Sequence, residues 1–345
     1  MRPTRRQFLA AAAASPLLPR DLFAQDVLPD LVTKKSVAAA RKGLEFLASK
    51  QVSDGSMGGT QDTGAYPTAM TALAGMAFLA GGNTSTRGAF SEQVRGVSEF
   101  LADNVQPSGL ITASGENGQP MYGHGFALMF LAVAFGMETD PARRRKIGEA
   151  VERGIRLTAG AASADGGWMY QPNSGDEGSV TVTQLQGLRA AHDAGFEVPE
   201  ETIENAVRYL ERCETPEGGI CYSLRSGGGT RPAITAAAIC CLYTSGEYDS
   251  PLAESCLEYT AKHFNSGGVS GFSHDFYANL YAAQAFYQAG DEYWDVYFPK
   301  IRDHYAGSQQ ADGSWMGDGV GPVYGTSIAC VVLQLPYRYL PIYQR

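Results

Sequence analysis

The sequence predicts an all-α protein, a closed α/α toroid built as an α6/α6 barrel of six helix hairpins. Three observations predict it. A glycine-rich loop recurs six times along the 345 residues, an amphipathic charged segment precedes each loop, and an almost uncharged segment follows it. Self-similarity of this kind marks a repeat architecture, and no stretch of comparable length alternates apolar and polar residues as a strand would.

The loops are Asp54-Gly55-Ser56-Met57-Gly58-Gly59, Ser108-Gly109-Leu110, Asp165-Gly166-Gly167-Trp168, Glu217-Gly218-Gly219-Ile220, Gly267-Gly268-Val269 and Asp312-Gly313-Ser314-Trp315. Ahead of them, segments such as Lys42–Gln51 and Ala206–Arg212 place apolar residues at helical spacing with charges between, as outer helices with one wet face require. Behind them lie Thr68–Ala80, His124–Phe135, Thr183–Ala194, Thr235–Thr244, Ala278–Ala289 and Thr326–Leu335, which carry almost no charge. These are expected to be inner helices, buried nearly all round. Gly81, Gly136, Gly195, Gly246 and Gly290 fall where left-handed C-caps are wanted, and Pro336 stops the sixth. Twelve helices, alternately half-wet and dry, bury their dry row better by closing than by stacking as an open solenoid.

Composition sets the outer bounds. With 44% hydrophobic and 18% charged residues the chain is expected to be a large globular domain, not an integral membrane protein. At the N-terminus, Thr4-Arg5-Arg6-Gln7-Phe8-Leu9 and the alanine run Ala10–Ala14 read as a twin-arginine export signal over residues 1–24, with a periplasmic or extracellular destination. Residues 25–345 are then a single domain, with the repeats at about 37–340. Cleavage removes four Arg and one Asp, which takes the net charge from −9 to −12. Such a balance argues against nucleic acid as a partner. Cys213, Cys221, Cys240, Cys241, Cys256 and Cys330 show no metal-ligand spacing, and read as buried small hydrophobes with one optional bridge.

The loop residues carry a resemblance. Lys42-Gly43, Phe46-Leu47, Gln51, Gly55 and Met57 resemble the QW repeat of squalene and oxidosqualene cyclases with Met57 in place of its tryptophan, and Gln309, Gly313 and Trp315 repeat the spacing. Arg153-Gly154, Gly166 and Trp168 give a partial third copy. The likeness extends to protein prenyltransferase β-subunits and to exported bacterial proteins of prenyltransferase and squalene oxidase repeats. It implies the terpenoid cyclase and prenyltransferase toroid, with the Gln and Trp as a staple between neighbouring units. Catalytic signatures of those families are missing: there is no DxDD, no DDxxD and no Asp-x-Cys, and Ala278-Asn279 stand where the resemblance implies a zinc-binding His and its Thr. Neither a metal nor a cofactor is therefore expected.

Counting from the first turns of the inner segments puts Thr68, His124, Thr183, Thr235, Ala278 and Thr326 at equivalent positions. Two residues earlier come Tyr66, Tyr122, Thr181, Ala233, Phe276 and Tyr324. In a closed ring these would face a cavity near the positive helix N-termini. His124 is read either as a general acid or base, with Asp275 or Asp176 as its partner, or as a hydrogen-bonded structural histidine. Asp275 and the Asp176-Glu177 pair can equally be helix caps, and Arg231 either holds an anion or pairs with one of these acids. The aromatic rings are either core or a cation-stabilising wall.

The functional expectation is a cavity that binds an apolar or isoprenoid-like ligand or a partner. Two alternatives stand beside it: a terpene cyclase- or prenyl-transfer-type enzyme using other acids, and a polysaccharide lyase or glycosidase. On the pocket reading, His124→Ala weakens ligand binding at least tenfold, about 1.4 kcal/mol, and spares the fold.

Overall fold

The computed structural model describes residues 28–57, 66–114, 116, 118–266 and 268–344, and the expected export signal lies outside them. Leu31–Arg345 form one compact unit. Its described residues hold twelve α-helices and no strand. The outer helices are α1 (Lys34–Lys50), α3 (Ser91–Asp103), α5 (Pro141–Gly160), α7 (Glu200–Arg212), α9 (Pro251–Ser266) and α11 (Asp291–Ser308). The inner helices are α2 (Pro67–Ala80), α4 (Pro120–Met137), α6 (Gly178–Asp193), α8 (Pro232–Thr244), α10 (Asp275–Ala289) and α12 (Pro322–Gln334). Each inner helix packs on the next, and α12 packs on α2, so the ring closes and the expected α/α toroid is the fold.

The inner helices start one to five residues before the uncharged segments picked out in the sequence. Four of them, α2, α4, α8 and α12, open with proline at the first turn. Proline there loses no hydrogen bond and fixes the helical φ, so it begins these helices. Not every glycine ends a helix as expected. Gly136 lies inside α4, and Gly81 keeps a φ of −80° while Gly82 takes the left-handed turn at +77°. Past α12, Pro336 sits in a short 3-10 turn, Leu335–Tyr337.

Burial follows the polarity of the helices. Every residue of α2 from Thr68 to Ala80 is buried, whereas α7 buries only Ala206, Tyr209 and Leu210. Helix α4 is long and apolar enough to cross a membrane, but 78% of it is buried inside the protein, as for the core helix of a globular domain. At the end where α2 and α12 finish, the chain terminus folds under the barrel. Leu340, Ile342 and Tyr343 are buried, and the turn Pro341–Tyr343 touches α6 and α10. Gln186 Nε2 donates to Gln284 Oε1 at 2.8 Å, both side chains buried, and joins α6 to α10.

Two kinds of contact link neighbouring units, both present in the first and sixth. Gln51 Nε2 donates to its own loop at Gly55 O (2.9 Å) and to Gln93 O of α3 (3.0 Å). Gln309 repeats this with Gly313 O (2.9 Å) and Ala39 O of α1 (2.8 Å), so the sixth loop grips the first outer helix. The loop glycine beside each Gln seats on that same helix. Gly55 has φ +89° and a Cβ there would lie 2.1 Å from Gly96 O; at Gly313, φ +91°, it would lie 2.6 Å from Lys42 O. Gly109 and Gly166 sit in the same way on Arg153 O and Asn205 O. Trp168 and Trp315, both buried, complete the staple by donating Nε1 to Thr158 O and Tyr305 O, each at 2.8 Å.

This geometry predicts a contrast between two left-handed glycines. Gly313→Ala meets both the φ penalty and the Lys42 carbonyl, and should destabilise by about 3 kcal/mol or more. Gly246→Ala, at φ +88° with nothing within 4 Å, should cost about 1–2 kcal/mol. Urea unfolding measures both, and equal losses would show that the loop seat contributes nothing.

Candidate functional site at the N-terminal rim

Each loop hangs from the inner helix that follows it by one side chain. The backbone N–H of Met57 donates to Thr71 Oγ1 (2.9 Å), that of Trp168 to Thr181 Oγ1 (3.0 Å), that of Ile220 to Thr235 Oγ1 (2.9 Å) and that of Trp315 to Thr326 Oγ1 (3.0 Å). In the second unit Ile111 N–H donates to His124 Nδ1 (3.0 Å). In the fifth the polarity is reversed, and Asn279 Nδ2 donates to Val269 O (2.7 Å). Thr71, His124, Thr181, Thr235, Asn279 and Thr326 are thus the equivalent residues, at the fourth or fifth place of their helices.

That register corrects the one counted from the sequence at three positions. Thr68 lies a turn too early: it donates to Glu116 Oε2 at 2.6 Å and accepts from Ala113 N–H at 2.9 Å. Thr183 bonds Val180 O (2.8 Å) and accepts from Gln184, and Ala278 is one residue short of Asn279. The loops differ in length and the helices start earlier than the uncharged segments, so a count anchored on either slips.

His124 is fully buried. Because Nδ1 accepts from Ile111, the ring proton sits on Nε2 and donates to Thr158 Oγ1 (2.9 Å), which in turn donates to Gly154 O (3.0 Å). Burial holds its pKa down to about 4, against 6.5 for a free imidazole. Both nitrogens are committed to the wall of the barrel, and neither expected acid is among their partners. Asp275 accepts from Phe272 N–H at 2.6 Å. Asp176 is buried against Gly167, with neither oxygen in a hydrogen bond. Arg231 is exposed at the start of α8, its N–H on Ile220 O (2.8 Å).

What the inner-helix N-termini do bring together is tyrosine. Tyr122 on α4 bonds Ser179 Oγ at the start of α6, and Tyr277 on α10 reaches across to Ser179 O at 3.2 Å. Tyr170 and Tyr222, each two residues past the anchored position of its loop, share a hydroxyl contact of 2.5 Å, and the Tyr122 and Tyr170 rings lie 5.8 Å apart. Tyr66 and Tyr324 are close enough to this group to act on Tyr170 and Tyr122 respectively. Phe276 stacks on Tyr305 with centroids 5.4 Å apart. Tyr66, Tyr122, Phe276 and Tyr324 were legible in the sequence; Tyr170, Tyr222 and Tyr277 were not, although the shared loop offset of the first two is a signal.

Three carboxylates stand at the starts of inner helices, two of them, Glu177 and Asp318, beside these rings. Glu177 caps α6, accepting from Ser179 N–H (2.9 Å), Val180 N–H (2.5 Å) and the Ser179 hydroxyl. Asp318, from the sixth loop, accepts from Phe276 N–H and Tyr277 N–H at 3.1 Å each and caps α10 from outside. Glu116, from the second loop, caps α2 through Thr68, but its Oε1 is buried without a partner. Burial raises the pKa of all three above the usual carboxylate range, against the hydrogen bonds that lower it. Among the described residues no three His, Cys, Asp or Glu side chains are placed to hold a metal.

No family model matches the chain, and no curated protein does. Solved structures do resemble it. The type II terpene cyclase MstE from Scytonema superposes with a TM-score of 0.57 at 14% identity, over 89% of this chain and 100% of that one. An inactive variant of the α-1,6-mannanase GH76A of Salegentibacter sp. HEL1_6 gives 0.65 at 9% identity, over 88% and 99%. Cellobiose 2-epimerase from Bacillus thermoamylovorans B4167 gives 0.60 at 13% identity, over 89% and 100%. At such identities the likeness establishes the toroid and nothing finer.

The placement of His124 reverses what its substitution should do. His124→Ala leaves the Ile111 N–H without its acceptor and opens a void, and should cost about 3–5 kcal/mol of stability. His124→Thr, the anchor used in four other units, should cost less. A histidine held near 4 in the fold and near 6.5 unfolded binds its proton more readily unfolded, so its contribution is intact above about pH 6.5 and lost as pH falls through 4. Wild-type protein should lose about 3 kcal/mol across that window through this group, and His124→Thr should not. Urea unfolding at the two ends of the window checks this; parallel pH profiles would contradict it.

Proposed function

We propose that the chain is a small-molecule-binding toroid that takes an apolar, isoprenoid-like ligand at the tyrosine rim of its barrel, in the periplasm or outside the cell after twin-arginine export. The observation that supports it is how the polar groups of the rim are spent. The hydroxyls of Tyr122, Tyr170, Tyr222 and Tyr277 bond to one another or to Ser179. Glu177 and Asp318 are bonded to backbone N–H groups of helix starts. What remains for a ligand is chiefly aromatic ring faces, which suit apolar chains, double bonds and rings. A glycan presents many hydroxyls, each needing a polar partner, and so fits such a wall poorly. One structural neighbour, a MstE variant, is in complex with geranylgeranyl dihydroxybenzoate, a substrate of that chemical kind.

A second reading has one specific observation in its favour. Glu116 keeps a buried, unpartnered oxygen, and burial raises its pKa, so it is the rim carboxyl best suited to carry and deliver a proton. If the protein is an enzyme of the cyclase or prenyl-transfer kind, Glu116 is its acid. His124, with both ring nitrogens bonded, and Asp275, which accepts from Phe272 N–H, are not.

Thermal shift against geranylgeraniol and against manno- and cello-oligosaccharides tests the ligand class, since a ligand that binds only the folded state raises the Tm. The expected result is a rise with the isoprenoid alone; a rise with oligosaccharides alone would overturn it. Tyr170→Phe, which keeps the ring, should leave the affinity within about twofold, while Tyr170→Ala should weaken it about tenfold, or 1.4 kcal/mol. Glu116→Gln should retain binding on either reading, and abolish turnover only if the second one holds.

A further inference from the structure

The fourth loop turns back on itself as a short antiparallel pairing. Thr215 N–H donates to Gly219 O (2.8 Å), Cys221 N–H donates to Cys213 O (3.0 Å), and Glu214 faces Ile220 between them. In that register Cys213 and Cys221 are directly opposite. Opposed residues of an antiparallel pair have Cα atoms about 4.5–5.5 Å apart, inside the roughly 4.4–6.8 Å that a disulfide spans. Both thiols are buried and free, and Cys221 Sγ lies 3.5 Å from Ser223 O in the same loop. Other cysteines are directed elsewhere: Cys240 toward Ala236 O and Tyr281 O, Cys241 toward Val182 O, Cys330 toward Ala40 O.

We propose that Cys213 and Cys221 are a disulfide-forming pair which, oxidised by a small-molecule disulfide, fastens the end of α7 to the loop that carries Tyr222. The Cys221 thiolate attacks one sulfur of the oxidant and expels the other as a thiol. The Cys213 thiolate then attacks the Cys221 sulfur of that mixed disulfide and expels the second thiol. Two protein thiols are oxidised, one disulfide is reduced to two thiols, and the two S–H protons end on them. Cys221 reacts first because it is 8% exposed whereas Cys213 is fully covered. Burial, with Asp176 nearby, pushes the Cys213 thiol up to about 12, so the closing step is slow at neutral pH.

The bond matters for the rim because Tyr222 is the next residue after Cys221. The Tyr222 hydroxyl holds Tyr170, and its carbonyl accepts from Gly178 N–H at 2.8 Å, at the first residue of α6. A cross-link one residue away fixes both contacts to the outer helix, and closing so short a loop removes freedom from the unfolded chain.

Full-length protein is incubated with excess oxidised glutathione, its remaining thiols are alkylated, and it is cleaved after glutamate without reduction. Cleavage at Glu214 and Glu217 puts the two cysteines on separate peptides. The expected result is four alkylated cysteines and a peptide pair joined through Cys213 and Cys221, lighter by two hydrogens. The Tm should rise by several degrees and return with dithiothreitol, and Cys221→Ser should show no such rise. Six alkylated cysteines, a bond through any other pair, or glutathione left on Cys221 with Cys213 alkylated would overturn the proposal.

Discussion

The hydrogen bond from a loop N–H to a side chain one turn inside the next helix is the constraint on which the rest of this barrel depends. An inner helix buried nearly all round has few polar groups with which to fix its rotation or its height, chiefly buried glutamines such as Gln184, Gln186 and Gln334. The anchors at Thr71, His124, Thr181, Thr235 and Thr326 supply that register. Each satisfies a buried N–H that would otherwise cost about 1–3 kcal/mol. The glycine of the same loop then seats on the next outer helix, and where the sixth loop meets α1 through Gln309 and Gly313 the ring is locked. Closure therefore does not depend on side-chain packing alone.

With the helix starts held at one rim, the loops are free to differ above the anchor. Three of them send carboxylates back to helix N-termini, where the aligned peptide dipoles favour negative charge. Glu177 does so from its own helix; Glu116 and Asp318 do so for α2 and α10 from the loops of other units. These caps hold the tyrosines of the rim in place, and they also use up acid groups that would otherwise be candidates for chemistry. Glu116, with one oxygen unsatisfied, is the exception.

The architecture was legible in the sequence because its causes are local: six glycine loops, charged helices before them and uncharged ones after. Those patterns report which faces are wet, and burial follows. The ring position of a side chain was less legible. It depends on where each helix starts: the count held on α4, α8 and α12, which open with proline, and slipped on α6 and α10, which open with Gly178 and Asp275, and on α2. His124 drew attention as a titratable ring among threonines, yet it stands there because imidazole, longer than a hydroxyl, bridges Ile111 and Thr158. Asn279, noted in the sequence only for standing where a prenyltransferase-like pattern differs, is the anchor of the fifth unit. Tyr170, Tyr222 and Asp318 come from loops of unlike length, and only the folded ring sets them beside Tyr122, Tyr277 and Tyr324.

Native-state hydrogen exchange tests the anchor most directly. The amides of Met57, Ile111, Trp168, Ile220 and Trp315 belong to irregular loops, where exchange is ordinarily fast. If the anchors set the register of the barrel, these five should exchange only in the global unfolding reaction, with protection equal to that of α2 and α4. Exchange of these amides as fast as that of the neighbouring Asp54, Asp165 and Asp312 would contradict the anchor's role.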